Sequence, residues 1–123
     1  MNDGIELASA LRLVGRNVVA NRFLAEGQLV MQAATVQLDT RQYLAIREAE
    51  LQQYCIAHPV DPDGGLLLLS EAALCLTPEV ASLTSHATNL GANGWIVEFR
   101  AARDIHEGEL LSRRDQADHW SML

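Results

Sequence analysis

An eleven-residue stretch that occurs twice constrains this chain more than any other feature. Residues 20–30 (Ala-Asn-Arg-Phe-Leu-Ala-Glu-Gly-Gln-Leu-Val) return 81 positions later as residues 101–111 (Ala-Ala-Arg-Asp-Ile-His-Glu-Gly-Glu-Leu-Leu), and five of the eleven positions are identical. Leu24/Ile105 and Val30/Leu111 are close exchanges. Each copy follows an apolar alternating run and leads into another, which predicts a hairpin of strand, tight turn and strand. Gly27 and Gly108 would supply the positive φ of the turn. Two unrelated hairpins that converged on one turn chemistry would leave the same trace.

At 123 residues the chain has the size of one domain with a real core. No run approaches the roughly 20 apolar residues of a membrane span, and no basic-then-apolar leader opens the chain, so a cytoplasmic location is expected. The net charge is −7, and its nine basic residues, all arginines, are scattered. That argues against a nucleic-acid partner, which needs clustered positive charge. Cys55 and Cys75 lack metal-type spacing and predict buried free thiols. His58, His86, His106 and His119 form no i, i+4 pair, so no metal site is expected.

Residues 5–13 predict a first strand, and Gly15-Arg16-Asn17 a turn in which Asn17 tolerates the left-handed region. After the first repeat a strand runs through residues 28–38, with Leu29, Met31, Ala33 and Thr35 on one face. Asp39 or Thr40 then caps a helix of about fifteen residues whose stripe includes Tyr43, Leu44, Leu51, Tyr54 and Cys55. Both tyrosines are read as core. Asp61-Pro62-Asp63-Gly64-Gly65 is a strong turn before a buried strand at 66–69. Thr77-Pro78-Glu79 predicts a short helix over 78–83, followed by a loop at 84–89. Asn93-Gly94 predicts a hairpin, after which Trp95, Val97, Phe99 and Ala101 face inward. The polar tail carries a late aromatic, Trp120, that suggests a segment folding back. The chain therefore reads as mainly β with one medium and one short helix, and without the alternation of a doubly wound parallel sheet.

This order of elements resembles a SET domain, a β-clip fold best known from protein lysine methyltransferases. The family pattern is a Gly-x-Gly turn, a strand ending in Ala and an Arg-x-Ile-x-x-Gly-Glu hairpin. An Asn-His-Ser loop, a strand pair, a second such hairpin and a Tyr follow. Gly15-Arg16-Asn17-Val18-Val19-Ala20 with the first repeat matches the opening, Ser85-His86-Ala87 the loop, and residues 99–111 the last hairpin. The match covers about residues 4–115 of one domain spanning 1–123, with 116–123 as a tail. The resemblance implies S-adenosylmethionine as cofactor, with Gly15 and His86 helping to seat it, and a basic protein or peptide segment as partner. If active, such a chain would be a protein-lysine N-methyltransferase. A SET domain without flanking segments also leaves apolar edge to cover, so a homodimer is expected.

The chain departs from the pattern at three places. Asn17 stands at the second glycine, Ser85 at the loop asparagine, and Asp115 at the late tyrosine. Methyl transfer needs a neutral, oriented amine, whereas a carboxylate keeps an amine protonated. Little or no turnover is therefore expected, and the catalytic residues stay unassigned. Besides an enzyme, two readings stay open: a non-catalytic SET-fold interaction module, adding a peptide strand to a sheet edge, and another β-clip protein that shares only the hairpin.

Overall fold

The computed structural model describes residues 10–122. Its eight strands are β1 (Leu11–Val14), β2 (Asn17–Ala20), β3 (Leu29–Leu38), β4 (Cys55–Ala57), β5 (Gly65–Leu68), β6 (Leu83–Asn89), β7 (Trp95–Ala101) and β8 (His119–Met122), with one α-helix, α1 (Thr40–Glu48). The fold is mainly β, as expected. β1 and β2 form a two-stranded sheet, and the other six lie in the order β4-β5-β3-β7-β6-β8. All neighbours are antiparallel except β6 and β8. The proposed first strand lies partly in residues 5–9, outside the described residues; the described part is β1.

The two repeat copies do not form separate hairpins; they pair with each other. Leu24 N–H donates to Ile105 O and Ile105 N–H to Leu24 O, both at 2.8 Å. Gly27 N–H donates to Ala101 O, and its counterpart Gly108 N–H donates to Ala20 O, again both at 2.8 Å. Ala101 N–H to Gln28 O at 3.0 Å is matched by Ala20 N–H to Glu109 O at 2.8 Å. Each of these backbone bonds recurs with the copies exchanged, so a local twofold axis passes through the Leu24/Ile105 pair. Even the side chains repeat: Gln28 Oε1 accepts from Ala25 N–H at 3.0 Å, and Glu109 Oε1 from His106 N–H at 2.7 Å. Gly27 and Gly108 have φ of 84° and 89°. Equivalent apolar positions (Ala20/Ala101, Leu24/Ile105, Val30/Leu111) are all buried. The axis thus brings the two ends of the chain into one core.

Trp95, Val97, Phe99 and Ala101 of β7 face inward as expected. On β3 the inward face begins differently, because a bulge between Leu29 and Met31 puts Val30 and Met31 both inside and leaves Leu29 exposed. α1 is nine residues long, not fifteen. Asp39 caps it through a capping box: Gln42 N–H donates to Asp39 Oδ1 at 2.8 Å, and Asp39 N–H to Gln42 Oε1 at 3.0 Å. None of its residues is buried, so no packing carries it past Ala49, and Glu50 leaves it at φ 59°. The rest of the expected stripe falls in a 3-10 turn, Gln52–Tyr54, and in β4, where buried Cys55 pairs with Leu67.

Two further expectations are corrected. Residues 78–83 are not helical, since Pro78, Glu79 and Val80 are exposed and offer no face to bury. The short helical turn lies earlier, at Glu71–Leu74, capped by Ser70. Residues 84–89 are not a loop but most of β6, because Leu83, Ser85 and Ala87 alternate inward and pair along β7. The tail does fold back: β8 lies parallel to β6. Among the described residues no helix is long and apolar enough to cross a membrane.

Candidate functional site

The first turn has one left-handed residue, Gly15 at φ 64°, with Val14 and Asn17 paired across it. Positive φ at the first of two central positions is the type II′ arrangement, so Gly15 meets a turn requirement and Asn17 begins β2 instead of taking the left-handed region itself. The turn carries Arg16 outward, where its Nη2 donates to Tyr54 Oη at 2.8 Å. Tyr54 is therefore only half-buried, at a site wall and not in the core.

Beside this pair opens a cleft of about 340 Å³, bounded by Arg16, Asn17, Gln53, Tyr54 and residues 73–77. Its size lies at the lower end for small-molecule sites, roughly 300–1,000 Å³. No acid lines it, although the chain carries net charge −7. Leu74 and Leu76 give it apolar wall, and Arg16, Asn17 and Thr77 give it polar handles. A ligand with a flat apolar part and an anionic end fits that chemistry. A second cleft of about 350 Å³ shares Gln53 and Thr77 with the first and adds Tyr43, Cys55, Asp115 and Gln116. Its single carboxylate, Asp115, suits a cation.

Between the shared wall and the core lies Arg113, fully buried. Its Nε donates to Ala72 O at 2.6 Å and its Nη2 to Gln53 O at 2.7 Å, while Nη1 reaches Arg114 O at 3.2 Å and Cys55 O at 3.4 Å. One guanidinium thus ties its own segment to the turns at Gln52–Tyr54 and Glu71–Leu74 and to β4, which border the two clefts. Burial lowers its pKa, but an arginine starts so high that it stays charged. The Cys75 thiol is pushed up to about 11 by burial, with Arg113 opposing, and Cys55 is raised for the same reasons. Both cysteines are free, buried and neutral, hence poor nucleophiles.

The residues expected at the site separate. Gly15 borders the first cleft through its neighbours Arg16 and Asn17. Asp115 lies at the second cleft, its carbonyl accepting from Ala57 N–H at 2.9 Å. Ser85 and His86 stand in β6, not in the loop before the strand pair; that loop is residues 75–82. Ser85 is buried and donates through N–H and Oγ to Asp118 Oδ2, at 2.8 and 3.3 Å. His86 is exposed, with Nε2 3.2 Å from Ser121 Oγ, and lines neither cleft. Trp120 is half-exposed on β8 and also lines neither. Arg16, Tyr54 and Arg113 carry no local sequence signal for their roles, because each bonds to a partner tens of residues away.

No protein-family profile matches the sequence, and no curated protein sequence matches it. Solved structures do. A Plasmodium falciparum protein assigned as a histone methyltransferase superposes with TM-score 0.61 at 11% identity, over 85% of this chain and 89% of that one. Apo Chaetomium thermophilum Polycomb Repressive Complex 2 with Ezh2 substitutions gives 0.65 at 15% identity, over 87% of this chain and 15% of that chain. The same complex in an autoinhibited conformation bound to S-adenosylmethionine gives 0.62 at 14%, over 86% and 14%. The chain thus spans only a small part of the Polycomb chains. At these identities the likeness shows the fold, which is SET-like.

Proposed function

We propose that this SET-like domain binds S-adenosylmethionine in the first cleft without transferring its methyl group, and that the second cleft receives a cationic side chain of a basic protein segment. The observation that supports this reading is the position of the first cleft. It opens between the turn after Gly15 and the loop that precedes the β6–β7 pair, the two segments that hold this cofactor in the family the chain resembles. Arg16 suits the carboxylate of the ligand, and Leu74 and Leu76 suit its purine. When bound, the cofactor supplies an electrophilic methyl group. A neutral amine would have to meet it, and Asp115 at the second cleft favours the protonated amine instead. His86, on the solvent face of β6, has no part in this reading.

One observation favours an active protein-lysine N-methyltransferase: Tyr43 lines the second cleft with Asp115 and brings a phenol from another part of the chain. Calorimetric titration with S-adenosylmethionine tests the binding. Saturable heat is expected, weakened roughly tenfold by Arg16→Gln through loss of one charge-assisted contact. No heat at millimolar ligand would remove the proposal. Incubation with labelled cofactor and a lysine-rich peptide then separates the two readings. No transfer is expected, whereas transfer that Tyr43→Phe abolishes would establish the enzyme. The chain has no lysine side chain to label itself.

A further inference from the structure

On the solvent face of the six-stranded sheet, four side-chain positions stand in one cross-strand row. His119 of β8 is in register with His86 of β6, His86 with Glu98 of β7, and Glu98 with Gln32 of β3. Positions directly opposite on adjacent strands share a face, with Cβ atoms about 4.5–5.5 Å apart. The two imidazole rings lie edge to face with centroids 6.4 Å apart, and both histidines are exposed. Their separation of 33 residues conceals the pair from any spacing motif. We propose that His86 and His119 form a two-imidazole site for a divalent transition metal, with Glu98 as an additional oxygen ligand, and that the metal clips the tail strand onto the sheet.

Neutral imidazole is the commonest protein ligand for zinc, copper and nickel. Zinc–nitrogen bonds are about 2.0–2.1 Å long, so the rings must turn toward each other, as exposed side chains on a fixed backbone can. Among the described residues no three His, Cys, Asp or Glu side chains already converge, so two imidazoles and water complete the first state of the site. Glu98 is held by Gln32 Nε2 at 3.0 Å and by Arg100 at 3.7 Å, and joins by exchanging those exposed contacts for the metal. His86 releases its contact with Ser121 Oγ to do the same. The backbone supplies what a surface histidine alone lacks, a second ligand at fixed register. Because the two ligands sit on β6 and β8, the bound metal is a cross-link at the first of the four residue pairs that hold the tail strand.

The whole chain is titrated calorimetrically with zinc and with copper, the latter expected to bind more tightly. His86→Gln and His119→Gln should each weaken binding roughly 100-fold, the effect of losing chelation. Glu98→Gln should weaken it less, and His106→Gln not at all. Amide exchange across residues 119–122 should slow with zinc in the natural chain and not in the His86→Gln variant. Binding that survives the double histidine substitution would overturn the site. Absence of binding at sub-millimolar zinc and copper would do the same, and unchanged exchange in saturating zinc would overturn the clip.

Discussion

His58 shows how one side chain holds a loop. Its Nδ1 accepts from Val60 N–H at 3.1 Å and from Asp61 N–H at 2.9 Å, so that nitrogen must be unprotonated and the ring carries its proton on Nε2. The buried Nε2 has no hydrogen-bond partner among the described residues, and the ring packs at a steep angle against Trp95, with centroids 5.4 Å apart. Burial lowers the His58 pKa below its ordinary 6.5, with Asp61 opposing. The unfolded chain therefore takes up a proton near 6.5 that the folded chain resists. The stabilisation is complete above that pH and falls as pH drops toward the folded value, at no more than about 1.4 kcal/mol per pH unit. In His58→Asn the side-chain oxygen still accepts from the loop but does not titrate. Urea unfolding at several pH values should give a shallower slope for the variant below pH 6.5, and equal slopes would refute the account.

At the scale of elements, the repeated turn was visible in the sequence because glycine, glutamate and leucine recur at fixed offsets. Its pairing was not, because backbone partners leave no mark on residue identity, so a hairpin was the natural expectation and an interlocked pair is what forms. Gly27 and Gly108 occupy equivalent positive-φ positions with open space where a Cβ would go. Gly27→Ala and Gly108→Ala should each cost about 1 kcal/mol, from backbone strain alone. Calorimetric or denaturant unfolding checks this, and a large inequality between the two would argue against equivalence. The loop expected at 84–89 failed for a related reason. Thr, Ser, His and Asn are turn-prone in isolation, but β6 lies between β7 and β8 and receives its bonds from both.

For the whole molecule, the core joins residues 18–30 to residues 99–111, and β3 to β7, across most of the chain length. Loop closure of that size precedes any reward from packing, so folding should occupy milliseconds to seconds and not microseconds. Stopped-flow refolding tests this, and a microsecond phase carrying the full amplitude would contradict it. The same topology governs the candidate site. Arg16, Tyr54 and Thr77 come from three separate parts of the chain and Arg113, buried behind them, from a fourth, and only closure of the fold brings them together.

Local chemistry determined much on its own. Glycines marked the turns at 27 and 108, Asp39 or Thr40 marked a helix start, and alternation marked the inward face of β7. Those features depend on neighbours within a few residues, so they can be read from the chain. The shortened helix, the bulge at Leu29, the strand identity of His86 and the buried guanidinium depend on which distant segments meet. Each was settled by packing and by backbone partners whose identity the residues themselves do not encode.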